Sequence, residues 1–232
     1  MEPDLRPVRR WQRNGTWQRI LIRLQSLADA KGEIVWDMSV DSTVCRAHQR
    51  AAGARKQSDL QKEPPSGVFT EPRDHGLGRS RGGFTTNLQL AVEQRQKPMS
   101  IMVTAGQRGD SPQFEPALKK VRVPRLGPGR PRVRPDRVRA DKAYASRRNR
   151  PYLRRRGIRC TIPDKADQAR NRQRLGSPAA VGRRISTGST TASAMRSSAG
   201  STVSRLQRAV ATRYDKLAVR YEATLLVAAL NE

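Results

Sequence analysis

The chain has 232 residues, with 47 Lys and Arg against 20 Asp and Glu, a formal net charge of +27 and an isoelectric point near 11.6. That excess goes beyond what solubility requires and points to a polyanionic partner, nucleic acid before an acidic membrane, since no basic amphipathic helix carries aromatic anchors. No apolar run approaches the roughly 18 residues of a membrane span, no signal peptide is visible, and Cys45 and Cys160 lack C-x-x-C or metal-ligand spacing, so a cytoplasmic protein with reduced thiols is expected.

Aromatic residues make up 4% and hydrophobic residues 35% of the chain, which is thin for one packed domain and predicts that part of it is disordered. From Trp11 to Ala30, Trp17, Ile20, Leu21, Leu24 and Leu27 recur at helical spacing behind Asn14 or Thr16 as cap, and Lys31-Gly32 ends the pattern. Glu33 to Val44 reads as a strand carrying one carboxylate, Asp41, near its end. A lone acid there is costly to bury without a positive charge opposite it. Residues 56–82 form a long polar loop that ends in GLGRSRGG.

Gly83–Gln94 and Pro98–Ala105 read as a β-hairpin turning at 95–97. Asp110–Lys120 has the signature of a short helix, with Asp110 or Ser111 as cap and Pro112 in the first turn. PRLGPGRPRVRPDR then reads as a Pro/Gly/Arg linker that cannot pack. Val138–Tyr144 is a short strand ending in a second carboxylate, Asp141. A basic helix follows, stopping at Gly157, and Arg159–Pro163 is one more strand. Residues 176–205 hold Ser, Thr, Ala, Gly and Arg with almost no large apolar side chain, a composition that cannot bury a core. From Arg208 a largely helical pattern returns. The expected organisation is a helical segment at 1–30, a catalytic core at 31–175, an altered, disordered stretch at 176–207 and a C-terminal helix at 208–232.

The order strand with Asp, hairpin, helix, strand with Asp matches an α/β, ribonuclease-H-like mixed sheet flanked by helices. Adjacent strands would bring Asp41 and Asp141 together, where like charges repel unless a cation lies between them. Mg²⁺ suits such hard oxygen ligands and supports phosphodiester chemistry. On spacing alone, capping or ion-pair roles fit the two aspartates as well. His48 and His75 read as solvated loop residues.

The motifs go further. SVDSTVCRAHQRAAGARK, GLGRSRGGFTTNLQLAV, VTAGQRGDSPQFEPAL, the run from RPRVRPDR through ADKAY to QARNR, and ATRYDKLAVRYEATLL resemble bacterial insertion-sequence transposases of the DDE type. The resemblance implies a ribonuclease-H-like catalytic domain and Mg²⁺ or Mn²⁺ as cofactor. It also implies strand cleavage at element ends with transfer to target DNA, a homo-oligomer when functional, and a bacterial, nucleoid-associated location. Asp41 in VDST matches the family's first catalytic and metal-binding Asp, and Asp141 in ADKAY the second. Arg79, Arg81, Lys142, Arg147, Arg148, Arg154, Arg155 and Arg156 are the expected DNA contacts, of the kind that position a duplex without reading it.

Three departures from the family pattern matter. The family's catalytic Glu lies on a helix just before ATRYDKLA, yet Met195–Gln207 contains no acid, and Glu222 belongs to the part that still matches downstream. This predicts a frame-shifted interval over about 177–205 and a transposase that is degenerate, with a non-catalytic, sequence-blind DNA-binding remnant as the alternative. Only about ten residues precede RWQRNGTW, so an N-terminal truncation is expected. Asn87 and Gln89 stand where relatives more often carry Lys and His. A basic RNA-binding protein fits the composition but explains none of the motifs.

Overall fold

The structure, a computed structural model, describes residues 10–12, 14–53, 71–174 and 208–231. The expected disorder at 176–207, the frame-shifted interval and most of the long loop at 56–82 lie outside those residues.

Helix α1 (Thr16–Ala30) leads into strand β1 (Asp37–Ala47), followed by the one-turn helix α2 (Gln49–Ala52). After a short β2 (Gly78–Ser80) come the hairpin strands β3 (Gly83–Glu93) and β4 (Pro98–Ala105), then helix α3 (Asp110–Lys120). Strand β5 (Arg137–Ala140), helix α4 (Asn149–Arg155), strand β6 (Arg159–Thr161) and helix α5 (Ala166–Arg174) complete this part. Helix α6 (Arg208–Ala211), strand β7 (Thr212–Arg213) and helix α7 (Ala218–Leu230) close the described chain.

The strands form one mixed sheet of seven. β3 lies antiparallel to both β1 and β4, whereas β5 and β6 join parallel on the other side of β1. Apart from the short β2 and β7, the spatial order is β4-β3-β1-β5-β6, the expected ribonuclease-H-like arrangement. Helices cover both faces. Phe114 and Leu118 of α3 and Tyr152 and Leu153 of α4 pack with Met38, Val40 and Val138 in one core. Tyr221, Leu225 and Leu226 of α7 and Leu21 of α1 pack with Leu88, Leu90 and Val92 in the other.

Three local expectations are corrected by tertiary context. The apolar spacing of α1 placed Leu24 and Leu27 inside, but they are 48% and 36% exposed, and the helix buries Leu21, Gln25 and Ser26 instead. Gln25 sets this rotation: its Nε2 donates to the Pro98 carbonyl at 2.9 Å and the Met99 carbonyl at 3.4 Å, engaging the edge strand. The helical pattern from Arg208 is broken at 212–217, where β7 leaves to pair in parallel with Arg46 and Ala47 of β1. The Pro/Gly/Arg stretch does pack at its base, through a two-way backbone bridge between Val123 and Arg132 at 2.9 and 2.8 Å.

The C-terminal part is fastened by Arg213, which is fully buried. Its guanidinium donates to the carbonyls of Asp215 (2.8 Å), Lys216 (2.8 Å) and Gly76 (3.2 Å) and to the Thr86 hydroxyl (2.8 Å). Burial lowers its pKa to about 10, and the nearby charges of Glu71 and Asp215 oppose that shift. Glu71 in turn accepts from the Ala218 and Val219 N–H groups at the start of α7, where a carboxylate suits the helix dipole. His75, expected in solvent, is 2% exposed, and its Nδ1 lies 2.7 Å from Glu71. Arg213→Lys keeps the charge but cannot span four acceptors. It is expected to lower Tm by about 6 °C or more in differential scanning calorimetry, since unmet buried acceptors cost about 1–3 kcal/mol each.

Candidate active site

The parallel ladder between β1 and β5 runs Asp37↔Arg137, Met38↔Val138, Ser39↔Arg139 and Val40↔Ala140. Asp41 is the next residue on β1 and Asp141, still extended, is the first residue past β5, so the register sets them side by side across a strand spacing of about 4.8 Å. On that side of β1 the ladder to β5 ends at Val40 and the ladder to β7 begins at Arg46. Among the described residues, 41–45 therefore have a strand neighbour only in β3, which opens a notch in the sheet at Asp41.

Each carboxylate is held by a backbone N–H. Asp41 Oδ1 accepts from Ser42 at 2.8 Å. Asp141 Oδ1 accepts from Ala143 at 2.9 Å and caps the single 3-10 turn Lys142–Tyr144, which turns the chain sharply after β5. Neither aspartate takes an ion pair with Lys, Arg or His among the described residues. Acids elsewhere do, as Asp37 with Arg139 at 2.7 Å and Asp74 with Arg108 at 2.8 Å. Burial pushes the Asp41 carboxyl up from the ordinary Asp range. The Ser42 N–H works against this, and the charges of Asp141 and Asp110 add to the rise.

Asp110 is the residue that sequence reasoning assigned to a different task. The cap of α3 is Gly109, without a side-chain bond, so the Asp110 carboxylate is free to turn elsewhere. Its Oδ1 accepts from Asn87 Nδ2 at 2.8 Å and Gln89 Nε2 at 3.1 Å. Gln89 Oε1 then accepts from the buried Tyr144 hydroxyl at 3.0 Å. Burial raises the Tyr144 phenol well above its usual pKa, and the charges of Asp110, Asp41 and Asp141 add to the rise. The signal was present in the sequence: Asn87 and Gln89 alternate on one face of a strand, and both amides prove to face the same acid. No group of three or more His, Cys, Asp and Glu side chains forms a metal cage among the described residues.

Glu222 lies elsewhere. It pairs with Lys120, at the end of α3 about 15 Å from Asp110 by helix rise. The basic residues divide into two sets. Arg79 and Arg81 are exposed on the β2–β3 hairpin, and Lys142, Arg147, Arg154 and Arg155 are exposed around the second aspartate and α4. Arg148 reaches Glu115 at 3.3 Å while staying 74% exposed. Arg156 turns into the fold, donating to the Tyr152 hydroxyl at 2.8 Å and the Val133 carbonyl at 3.1 Å, so its guanidinium serves packing here.

A family model described as the transposase DDE domain matches residues 36–229. No curated protein sequence matches the chain. Two solved structures show similarity. The Mos1 transposase paired-end complex with left transposon end has 12% identity and a TM-score of 0.30, covering 98% of this chain and 61% of that one. The pre-cleavage Mos1 transpososome has 12% identity and a TM-score of 0.26, covering 100% of this chain and 63% of that one. The chain thus spans less than two thirds of the length of either.

The raised Asp41 pKa means that the folded state holds this proton more tightly than the unfolded state. The resulting penalty is full above the folded-state pKa and is relieved as pH falls through it. Asp41→Asn removes the penalty, so in metal-free buffer at pH 7 its Tm is expected to rise by about 2 °C, read by differential scanning fluorimetry. A fall of similar size would contradict this account of the site.

Proposed function

The chain belongs to the transposase DDE domain family, and from that premise we propose that it is a DNA transposase with metal-dependent strand cleavage and strand transfer, in degenerate form. The observation that carries the reading is the register that sets Asp41 and Asp141 at neighbouring positions, neither of them ion-paired among the described residues, in a chain of net charge +27. Two neighbouring acids that no described Lys, Arg or His pairs with is the arrangement expected where a divalent ion is meant to bind. The donors fit Mg²⁺ or Mn²⁺: two carboxylates, each steadied by one backbone N–H. Such an ion, when bound, lowers the pKa of an attacking water or 3′-hydroxyl and steadies the leaving oxygen.

The protein's own groups do the rest. Asp41, walled in by β3, sets the depth of the site, and Asp141, exposed on its turn, faces the DNA side. Lys142, Arg147, Arg154 and Arg155, with Arg79, Arg81 and Arg148, hold phosphates of element ends and target DNA. Asp110 is a third negative charge acting on Asp41, anchored by Asn87 and Gln89. In this reading residues 31–175 carry the chemistry, the described helices of the flanking parts 1–30 and 208–232 brace it, and the working form is a homo-oligomer in the cytoplasm of a bacterium, bound to the nucleoid through DNA. No described helix is long and apolar enough to cross a membrane.

Two observations support degeneracy. Met195–Gln207 contains no acid where relatives carry the catalytic Glu. Asn87 and Gln89 replace the Lys and His more usual in relatives, and their amide groups are engaged with Asp110. With supercoiled plasmid, the purified chain is therefore expected to show slow nicking that requires Mg²⁺ or Mn²⁺, with no measurable strand transfer. Asp41→Ala and Asp141→Ala are each expected to cut nicking by about a hundredfold or more. Robust transfer would overturn degeneracy. Salt-sensitive DNA binding with no metal-dependent nicking would instead support the non-catalytic remnant.

A further inference from the structure

The segment between α3 and β5 is built as an arm. The bridge between Val123 and Arg132 closes a loop over residues 124–131, and Val121 and Val123 root it in the core at 0% exposure. Arg132 locks the base from outside: its guanidinium lies 4.1 Å over the Trp36 ring and 3.7 Å from Asp29. Beyond the base, residues 125–130 are exposed without interruption. Pro124, Pro128 and Pro131 restrict the backbone. Gly129 sits at φ 132°, where a Cβ would come 3.2 Å from Arg125 Cδ, so Arg125 is folded across the loop.

The tip chemistry is unusual for a surface loop. Arg125 and Arg130 have no carboxylate partner among the described residues, and no acid occurs between Glu115 and Asp136. Between the two arginines, Leu126 is 44% exposed. The tip offers no Asn, Gln or Asp to read base edges, and no helix to fill a major groove. A narrow, stiff, cationic loop with one apolar side chain is complementary to a slot about 6 Å wide with negative potential and apolar sugar walls. Preformed by its prolines, it loses little conformational freedom on docking.

We propose that residues 124–131 form an arm that inserts into the DNA minor groove, with Arg125 and Arg130 in the groove and Leu126 against its walls or between base steps. The proposal rests on the reading of the chain as a DNA-acting protein. α3 runs from Asp110 away from the carboxylates, and β5 runs back from Arg137 towards Asp141. The arm therefore leaves the sheet at the opposite end from the site, about 13–15 Å away. It grips flanking duplex about four base pairs from the reacting phosphate, at about 3.4 Å per pair.

The test is binding of the full chain to A·T-tract and G·C duplexes by fluorescence anisotropy, with netropsin as a minor-groove competitor. The wild type is expected to prefer the A·T tract by about threefold or more and to be displaced by netropsin. Arg125→Ala/Arg130→Ala is expected to lose about tenfold on the A·T tract, to bind both duplexes alike, and to show a log-log salt slope smaller by about two. Arg154→Ala/Arg155→Ala should weaken both duplexes equally and keep the preference. Tight wild-type binding that netropsin does not touch, or a preference that survives in the arm variant, overturns the arm while leaving DNA binding intact. Failure of the wild type to bind either duplex overturns both readings.

Discussion

The chemistry proposed for this chain depends on the register of one short parallel ladder. Val40↔Ala140 is its last rung, and the residue that follows each of these is an aspartate. A slip of one residue would carry one carboxylate to the opposite face of the sheet. The core on one face prevents that slip: Met38 and Val40 on β1 and Val138 and Ala140 on β5 are all buried with α3 and α4. The site is thus held by hydrophobic packing a few ångströms away, while its own charges oppose it.

That opposition is the physical signature of the site. Asp41 loses solvation and feels Asp141 and Asp110, and no basic side chain pairs with it among the described residues. The same chain satisfies its buried Arg213 with four acceptors and a ring contact to Tyr221 at 5.6 Å. One buried charge is fully met and fastens β7 and the start of α7 to the sheet. The other is left wanting a cation. The arm at 124–131 lies at the far end of the same strands, so one sheet carries candidate chemistry at one end and a candidate grip at the other.

Much of this was legible in the sequence because it rests on local patterns. The hairpin, the helix at 110–120 and the stop at Gly157 follow from alternation, a proline in the first turn or a left-handed glycine, whereas the strand expected over 138–144 ends at Ala140 and gives way to a 3-10 turn that Asp141 caps. What was not legible depends on partners far along the chain. Leu24 and Leu27 look buried by spacing, but Gln25 rotates the helix to reach Pro98 and Met99. Asp110 looks like a cap until Asn87 and Gln89 claim it from another strand. His75 looks like a solvated loop residue until Glu71, which also meets the start of α7, holds it in place. Arg132 sits in a stretch that composition reads as unpacked, yet Trp36 and Asp29 hold it in place.

The most direct test is a crystal structure grown with Mn²⁺ and read by anomalous scattering. The account predicts an ion in the notch of β1 with Asp41 and Asp141 among its ligands. A site that stays without an ion at millimolar Mn²⁺, with either carboxylate paired instead to an arginine, would contradict it.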